Sequence, residues 1–355
     1  MNRSLNLLDR RRLDRRRFLS LSAAAAATSA LSAFPQSPTG PTPATRPGSL
    51  RLIFFTDTHT QPELRANEGT ALALAKVKSL KPDLCIQGGD HCFDLAAVPR
   101  DRSLMLLDLY KKTEQTLDGI PIQHVIGNHD VFGRDPGSGV ETSDPLYGKK
   151  AFEQRFNTRT YRSFDQAGYH FILLDSIQIT PQRDFDATVD PDQLAWLKQD
   201  LAATPAGTPI LVASHVPLVS AAPQYTPPDD RAAKAAAYQA LTGLHGFLLG
   251  NSREVTQLFE GHNIIAVLQG HTHINETVFW RNTPYITSGA VCGNWWHGSR
   301  WGTPEGFTIV ELADGAAHWH YETYGWKSAA PEPDPLAPLA RPRSSPGPRP
   351  PVDLL

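Results

Sequence analysis

From Leu50 onward the chain alternates short apolar runs with stretches of helical period, and several of the apolar runs end abruptly in polar residues. Leu52-Ile53-Phe54-Phe55 stops at Thr56-Asp57-Thr58-His59, and Leu84-Cys85-Ile86 stops at Gly88-Gly89-Asp90. Ile122-Gln123-His124-Val125-Ile126 gives way to Gly127-Asn128-His129-Asp130. Ile210-Leu211-Val212-Ala213 is followed by Ser214-His215, and Ile264-Ile265-Ala266-Val267-Leu268 leads into Gly270-His271-Thr272-His273. Helical patterns lie between, for example Thr70 to Leu80 and Pro191 to Leu201, the latter opening with Pro and Asp as a helix start does. Apolar runs without alternation predict strands buried on both faces, hence a layered α/β fold. In such sheets a site gathers at the carboxyl ends of the strands, which is where each polar cluster falls. The later segments Glu276 to Trp280, Pro284 to Thr287, Phe307 to Leu312 and Ala317 to Tyr324 predict shorter, antiparallel strands.

The pattern changes at both ends. Residues 1–33 predict a signal peptide: a basic run from Arg10 to Arg17 precedes an alanine-rich stretch too short and too polar for a good spanning helix, and small residues follow near Ala30 to Ala33. Arg15-Arg16-Arg17-Phe18-Leu19 resembles the twin-arginine export consensus, which predicts an exported protein, periplasmic or extracellular, with no spanning segment after cleavage. Residues 34–49 read as a Pro-rich linker and 328–355 as a Pro-rich disordered tail, because neither has enough apolar content to offset ordering entropy. The folded domain is therefore expected over 50–327.

Charge narrows the partners. The first 33 residues hold seven Arg and two Asp, so of the 34 basic and 36 acidic side chains the remainder keeps 27 and 34, a net −7. A mildly acidic body has no electrostatic footprint for nucleic acid. A phosphate would have to be met by local cations. The three cysteines, Cys85, Cys92 and Cys292, have no C-x-x-C spacing and exclude a zinc finger or a disulfide framework.

Asp, Asn and His at strand ends supply mixed oxygen and nitrogen donors of the kind that suit iron, manganese, zinc or cobalt. A carboxylate bridging two such ions would hold them about 3.5–4 Å apart, where they clamp the attacking and leaving oxygens of an in-line displacement. A lone Asp-x-His is commonplace. All five clusters in this order, each after an apolar run, are not.

Together, Asp57-x-His59, Gly89-Asp90, Gly127-Asn128-His129-Asp130, His215 and Gly270-His271-x-His273 resemble the calcineurin-like metallophosphoesterase superfamily over most of 50–325. Tyr169 to Ser176 and Gln193 to Leu197 resemble its bacterial phosphohydrolase and cyclic-nucleotide phosphodiesterase branch. The resemblance implies a four-layer double β-sandwich flanked by helices. It implies two divalent or trivalent transition-metal ions, one on Asp57, His59 and His273, the other on Asn128, His215 and His271, with Asp90 bridging. It further implies attack by a metal-bound hydroxide, with His129 at the leaving oxygen and Asp130 orienting it. Purple acid phosphatases carry a tyrosine ligand three residues after the Gly-Asp motif. Phe93 stands there in this chain, which disfavours the purple, redox-active subtype.

Four residues stand as candidates for touching substrate. His91 either reaches substrate or supports the site from behind or faces solvent. Trp295, Trp296 and His297 form a Gly-bounded aromatic loop that either stacks a base or sugar or fills the core. The long stretch from Leu218 to Glu254, directly after His215, is a candidate lid or specificity element. Cys92 and Cys292 follow site motifs and are expected to bond across the cleft rim in an oxidising compartment, whereas Cys85 sits mid-strand as a buried thiol. The expected function is hydrolysis of phosphomonoesters or phosphodiesters. Alternatives are a dedicated 3′,5′-cyclic-nucleotide phosphodiesterase, a non-catalytic metal-binding scaffold and an interaction protein acting through its Pro-rich tail.

Export is expected to depend on the arginine pair. Replacing Arg15 and Arg16 with Lys, and Arg17 with them because it can substitute, is expected to leave the precursor in the cytoplasm. Cell fractionation that recovers unchanged periplasmic protein would instead point to the general secretory route or to a retained anchor.

Overall fold

The uninterrupted apolar runs are buried on both faces. In β1 (Leu50–Phe55), Leu52 and Phe54 join one apolar cluster and Ile53 and Phe55 another, and all four are fully buried. This is the period-2 geometry of a strand with apolar material above and below it. The computed structural model describes residues 47–225 and 247–336, all within one unit that runs from Pro41 to Leu355. The expected signal peptide, most of the linker, the middle of the 218–254 segment and the end of the tail lie outside the described residues.

The further strands are β2 (Leu84–Gln87), β3 (Ile122–His124), β4 (Arg162–Gln166), β5 (Tyr169–Leu174), β6 (Gln178–Ile179) and β7 (Phe185–Asp186). They continue with β8 (Ile210–Ser214), β9 (Ile264–Gln269), β10 (Glu276–Trp280), β11 (Thr283–Thr287), β12 (Gly306–Ala313) and β13 (Ala316–Thr323). The α-helices are α1 (Ala66–Ser79), α2 (Arg100–Glu114), α3 (Lys150–Phe156), α4 (Pro191–Ala203) and α5 (Ser252–Leu258).

Among the described residues two main sheets form, ordered β13-β12-β1-β2-β3 and β10-β11-β9-β8-β5-β4, with β6 and β7 as a separate ribbon. In the first, β1, β2 and β3 are parallel, and β12 and β13 add on antiparallel. In the second, β5, β8, β9 and β11 are parallel, with β4 and β10 antiparallel at the edges. The expectation of antiparallel pairing therefore holds for β10, β12 and β13. It fails for β11, which pairs antiparallel with β10 but parallel with β9. A short apolar segment does not encode which neighbour it meets.

Leu52, Phe54, Leu84 and Ile86 of the first sheet pack against Phe171, Leu173, Leu211 and Leu268 of the second. The outer face of the first sheet is covered by Ala73, Leu74 and Val77 of α1, and that of the second by Leu197 and Leu201 of α4 with Val255 of α5. The order helix, sheet, sheet, helix is the expected four-layer double sandwich. Asp190 caps α4, its side chain accepting from the Gln193 amide at 2.8 Å. Because the parallel strands of each sheet run the same way, both sheets deliver their carboxyl-end loops to the site.

The first part of the expected disordered tail is held in place. Ser328 donates to the Trp296 carbonyl, the Glu332 amide donates to the His297 carbonyl at 2.8 Å, and Asp334 accepts from Ser299 and from the Gly302 amide at 2.6 Å each. The domain boundary thus lies beyond residue 327. Proline content hid this, since the bonds use backbone groups and short polar side chains rather than apolar burial. Among the described residues no helix is long and apolar enough to cross a membrane.

One buried histidine clamps the second sheet to its helix. His170 on β5 places Nδ1 2.7 Å from Asp165 Oδ1 of β4 and Nε2 2.9 Å from Asp200 Oδ2 of α4. Burial favours the neutral ring, but the bonds to Asp200 and Asp165 outweigh it and raise the imidazole pKa above its ordinary 6.5. A raised folded-state pKa gives stability that is complete below the ordinary value and is lost as pH rises through the folded value. His170→Gln is therefore expected to lower stability most below pH 6.5, the deficit shrinking at higher pH. Urea unfolding across that range checks this. A deficit independent of pH would mean the ring acts by packing alone.

Candidate metal centre

The loops that leave the strand ends are tightly bent. Asp57, His59, Asp90, His271 and His273 all have positive φ, at 53°, 38°, 56°, 70° and 61°. Asp and His tolerate this left-handed region better than most residues, but each such position costs energy that the surroundings must supply. Here the β1 loop is bonded to the β2 loop: the Asp57 amide donates to Gly89 O at 2.9 Å, His59 to Asp90 O at 3.0 Å and Thr60 to His91 O at 3.1 Å. The approach leaves no room for side chains at two points. A Cβ at Gly89, whose φ is 106°, would fall 2.4 Å from His215 Nδ1, and one at Gly127 would fall 2.2 Å from Asp90 Oδ1.

These bends gather the seven expected ligands into one cluster. Asp90 Oδ2 lies 3.5 Å from His59 Nε2 and 3.2 Å from His215 Nε2. On one side, Asp57 Oδ1 is 3.3 Å from His273 Nε2 and 3.9 Å from His59 Nε2. On the other, Asn128 Oδ1 is 3.1 Å from His215 Nε2, and Asp90, His215 and His271 offer ligand atoms all within 4.8 Å of one another. Asp90 thus stands between two donor groups, the first from Asp57, His59 and His273, the second from Asn128, His215 and His271.

The donor set fits cations. His59, His215 and His273 direct Nδ1 at backbone carbonyls, of Phe93 at 3.2 Å, Gly88 at 2.8 Å and Gly293 at 2.6 Å. A carbonyl only accepts, so each Nδ1 carries a proton, which leaves Nε2 as the nitrogen whose lone pair can turn inward to a cation. Those lone pairs meet carboxylate and amide oxygens, which are also electron-rich. Among the described residues, Asp57 Oδ1 and His59 Nε2 are buried with no hydrogen-bond partner. Buried groups left in that state are costly unless positive charge joins them.

The electrostatics agree. Burial pushes the Asp57 and Asp90 carboxyls up, yet the neighbouring imidazoles, His273 at Asp57 and His215 at Asp90, hold both well below the ordinary carboxylate value. Burial, with some help from His129 and His273, lowers His59 to about 3, so its ring is neutral and offers its lone pair. Against burial, Asp90 and Asp57 raise His215 to about 9. The cluster demands cationic partners, and two metal ions would supply them.

His129 borders the first donor group, its ring edge-on to His59 with centroids 5.1 Å apart. Its amide donates to Asp90 Oδ1 at 2.8 Å, and its Nδ1 faces Asp94 Oδ1 at 3.3 Å. Asp90 and Asp94 raise its pKa above the ordinary imidazole value in spite of burial. The expectation that Asp130 orients this ring is corrected. Asp130 accepts from the amides of Gly127, Asp90 and His91, each at 2.9 Å, and bonds His91 Nδ1 at 2.8 Å. Successive residues of the tight turn Asn128–Asp130 point different ways, so adjacency in sequence misassigned the pair. Asp130 ties the Asp90 loop to the Asn128 loop instead. Asp94, missed as a site residue, takes the orienting role; its position four residues past Asp90 was the available signal.

His91 is fully buried against Tyr110, Phe156 and His124, so its candidacy for substrate contact fails and its place is behind the site. The two tryptophans separate. Trp296 is fully buried under α1 and donates Nε1 to the His59 carbonyl at 3.1 Å, a core role that excludes substrate contact. Trp295 and His297 are half-buried and line a cavity of about 460 Å³ together with Phe93, Asp94 and His129. The expected disulfide is absent: Cys92 packs beside Leu106 and Tyr110, Cys292 beside Phe55 and Trp296, and both thiols are free and buried. The side chain that follows a site motif can turn to the core as readily as to the rim. Cys85 is the expected buried thiol, with burial raising its pKa to about 12.

Known proteins are similar to this chain in sequence and fold. Purple acid phosphatase 23 of Arabidopsis thaliana is 27% identical over 158 residues, a match covering 44% of this chain and 29% of that relative. The chain therefore matches under a third of that relative's length. Among solved structures, a dimetal phosphatase from Danio rerio superposes with a TM-score of 0.50 at 13% identity, covering 77% of this chain and 99% of that one. A purple acid phosphatase from yellow lupin gives a TM-score of 0.52 at 14% identity, over 79% and 52% of the respective chains. At these identities the two structures speak for the fold. The family model for calcineurin-like phosphoesterases matches residues 50–275, the stretch that holds every candidate ligand, and the chain belongs to that family.

Proposed function

We propose that this protein hydrolyses phosphoric esters, monoesters or diesters, using two transition-metal ions held by Asp57, His59 and His273 and by Asn128, His215 and His271, with Asp90 shared. The observation that carries the reading is the buried Asp90 carboxylate oxygen set between His59 Nε2 and His215 Nε2 at 3.5 and 3.2 Å. Bound ions of this kind polarise a phosphoryl oxygen and acidify water.

The protein's own groups have separate tasks in this reading. Asp57, Asp90 and the inward Nε2 atoms fix the two ions. His129, protonated under the influence of Asp90 and Asp94, delivers a proton to the leaving oxygen through Nε2, because its Nδ1 is committed to Asp94. Asp130 keeps the Asp90 and Asn128 loops at a fixed separation. Export by the twin-arginine route belongs to the same proposal and rests on Arg15 to Leu19. The purple acid phosphatase relatives act as named, but the Phe93 side chain has no oxygen to offer a metal, so a colourless centre is proposed for this chain.

Turnover of a phosphoester panel by purified, metal-loaded protein tests the function. No metal-dependent turnover of any ester would sink it. Asp90→Asn is expected to lower metal content and rate together, since Asp90 alone faces both donor groups; elemental analysis showing two retained ions with near-normal activity would break the bridging assignment. His129→Ala is expected to retain metal while losing about 10²–10⁴-fold in rate, the range for a positioned acid. Asp94→Asn should lose part of that effect. In both variants an ester whose leaving group has a low pKa should be spared, and metal loss in His129→Ala would reassign His129 as a ligand.

A further inference from the structure

The cavity beside His129 has walls of a particular chemistry. Trp295 forms one of them. Its ring lies 3.9 Å from His59 by centroid and 5.1 Å from His129, so the indole sits at the edge of the first donor group on the side where the leaving oxygen would meet its proton. Phe93 stands edge-on to it at 5.8 Å, and Leu64 adds apolar surface. No lysine or arginine is among the described residues that line the cavity. Its His129 is already paired with Asp94, whose carboxylate also lines the cavity and would repel a second phosphate, so its walls suit an uncharged, flat group.

Two further observations point outward to a ligand. Gln61 also lines the cavity, with 5% of its surface exposed. An amide facing the cavity in this way can donate to or accept from the edge of a group that enters. Trp295 itself is held at a φ of 53°, a region bulky residues avoid, by the bonds of the 292–298 loop: Asn294 N to Gly298 O and Trp296 N to Cys292 O, both 2.7 Å. Strain of this kind persists where surrounding structure enforces it, and here it turns Trp295 toward the cavity while Trp296 goes into the core.

We propose that this cavity is the leaving-group subsite and that it selects esters whose alcohol carries a planar aromatic ring, stacked on Trp295 and edge-bonded by Gln61. The proposal rests on the hydrolase reading above and adds the substrate class. About 460 Å³ lies within the range of sites that enclose small organic ligands. A nucleobase and a simple aryl ring share the required chemistry, and the test separates them.

Substrate pairs matched in leaving-group basicity isolate the ring. Adenosine 5′-monophosphate is compared with ribose 5-phosphate, and benzyl phosphate with ethyl phosphate, each by kcat/KM. At least one ratio is expected to exceed about tenfold in the wild type, the size of one stacking contact. Trp295→Leu is expected to bring that ratio near one, and Trp295→Phe to restore much of it, with metal content measured in every variant. Gln61→Leu should reduce the nucleotide ratio and spare the benzyl ratio; the pair showing the preference identifies base or aryl. Both ratios near one in the wild type, or a preference that survives Trp295→Leu, overturn the proposal. If none of the four monoesters turns over, the hydrolase reading is decided by the wider ester panel and not by this comparison. Calorimetric binding of adenosine and benzyl alcohol, against ribose and ethanol, then decides the subsite, and equal weak binding to wild type and Trp295→Leu overturns it.

Discussion

A carboxylate buried between imidazole nitrogens sets the terms for the rest of this molecule. Asp90 is almost fully buried and faces His59 and His215 from its Oδ2, while its Oδ1 accepts from the His129 amide. With Asp57 nearby, also fully buried, the cluster concentrates negative charge and lone pairs in a place that water does not reach. An arrangement of this kind is tolerable only with positive charge inside it and with rigid donors around it. The three carbonyls that hold the Nδ1 atoms, of Phe93, Gly88 and Gly293, supply the rigidity. They fix ring orientation before any ion arrives.

Meeting that demand explains the architecture. No single strand end can present seven ligands, so they come from both sheets: Asp57, His59, Asp90 and Asn128 follow β1, β2 and β3, while His215, His271 and His273 follow β8 and β9. Stacking two partly parallel sheets brings these carboxyl ends together, and the shared apolar layer between them sets their separation. The strained backbone at the ligand positions, on the order of 1 kcal/mol or more for each residue, is offset by the loop-to-loop bonds and by the large buried core. Asp130 performs the finest adjustment, since its two oxygens hold three amides from two loops.

The aromatic loop divides its work by residue. Trp296 anchors beneath α1 and supports the His59 carbonyl, whereas Trp295 faces outward over His59. The segment around Ser328 to Asp334 braces the same loop from outside. Residues far apart in the chain thus combine to place one indole ring beside the candidate metal ligands.

The sequence by itself determined the layered α/β class and the strand ends, and through its family resemblance it singled out the seven candidate ligands that the structure brings together. The reason is local: an apolar run followed by Asp, Asn or His at a tight turn carries its meaning within a few residues, and the order of five such runs is unambiguous. What it could not determine was direction. Whether a side chain next to a ligand faces the site, the core or another loop depends on the twist of each turn and on what packs above it. Hence Asp94, not Asp130, meets His129; His91 and Trp296 are buried; Cys92 and Cys292 belong to different apolar clusters; and β11 runs parallel to β9. Each was decided by contacts between residues distant in the chain, which only the packed structure brings together.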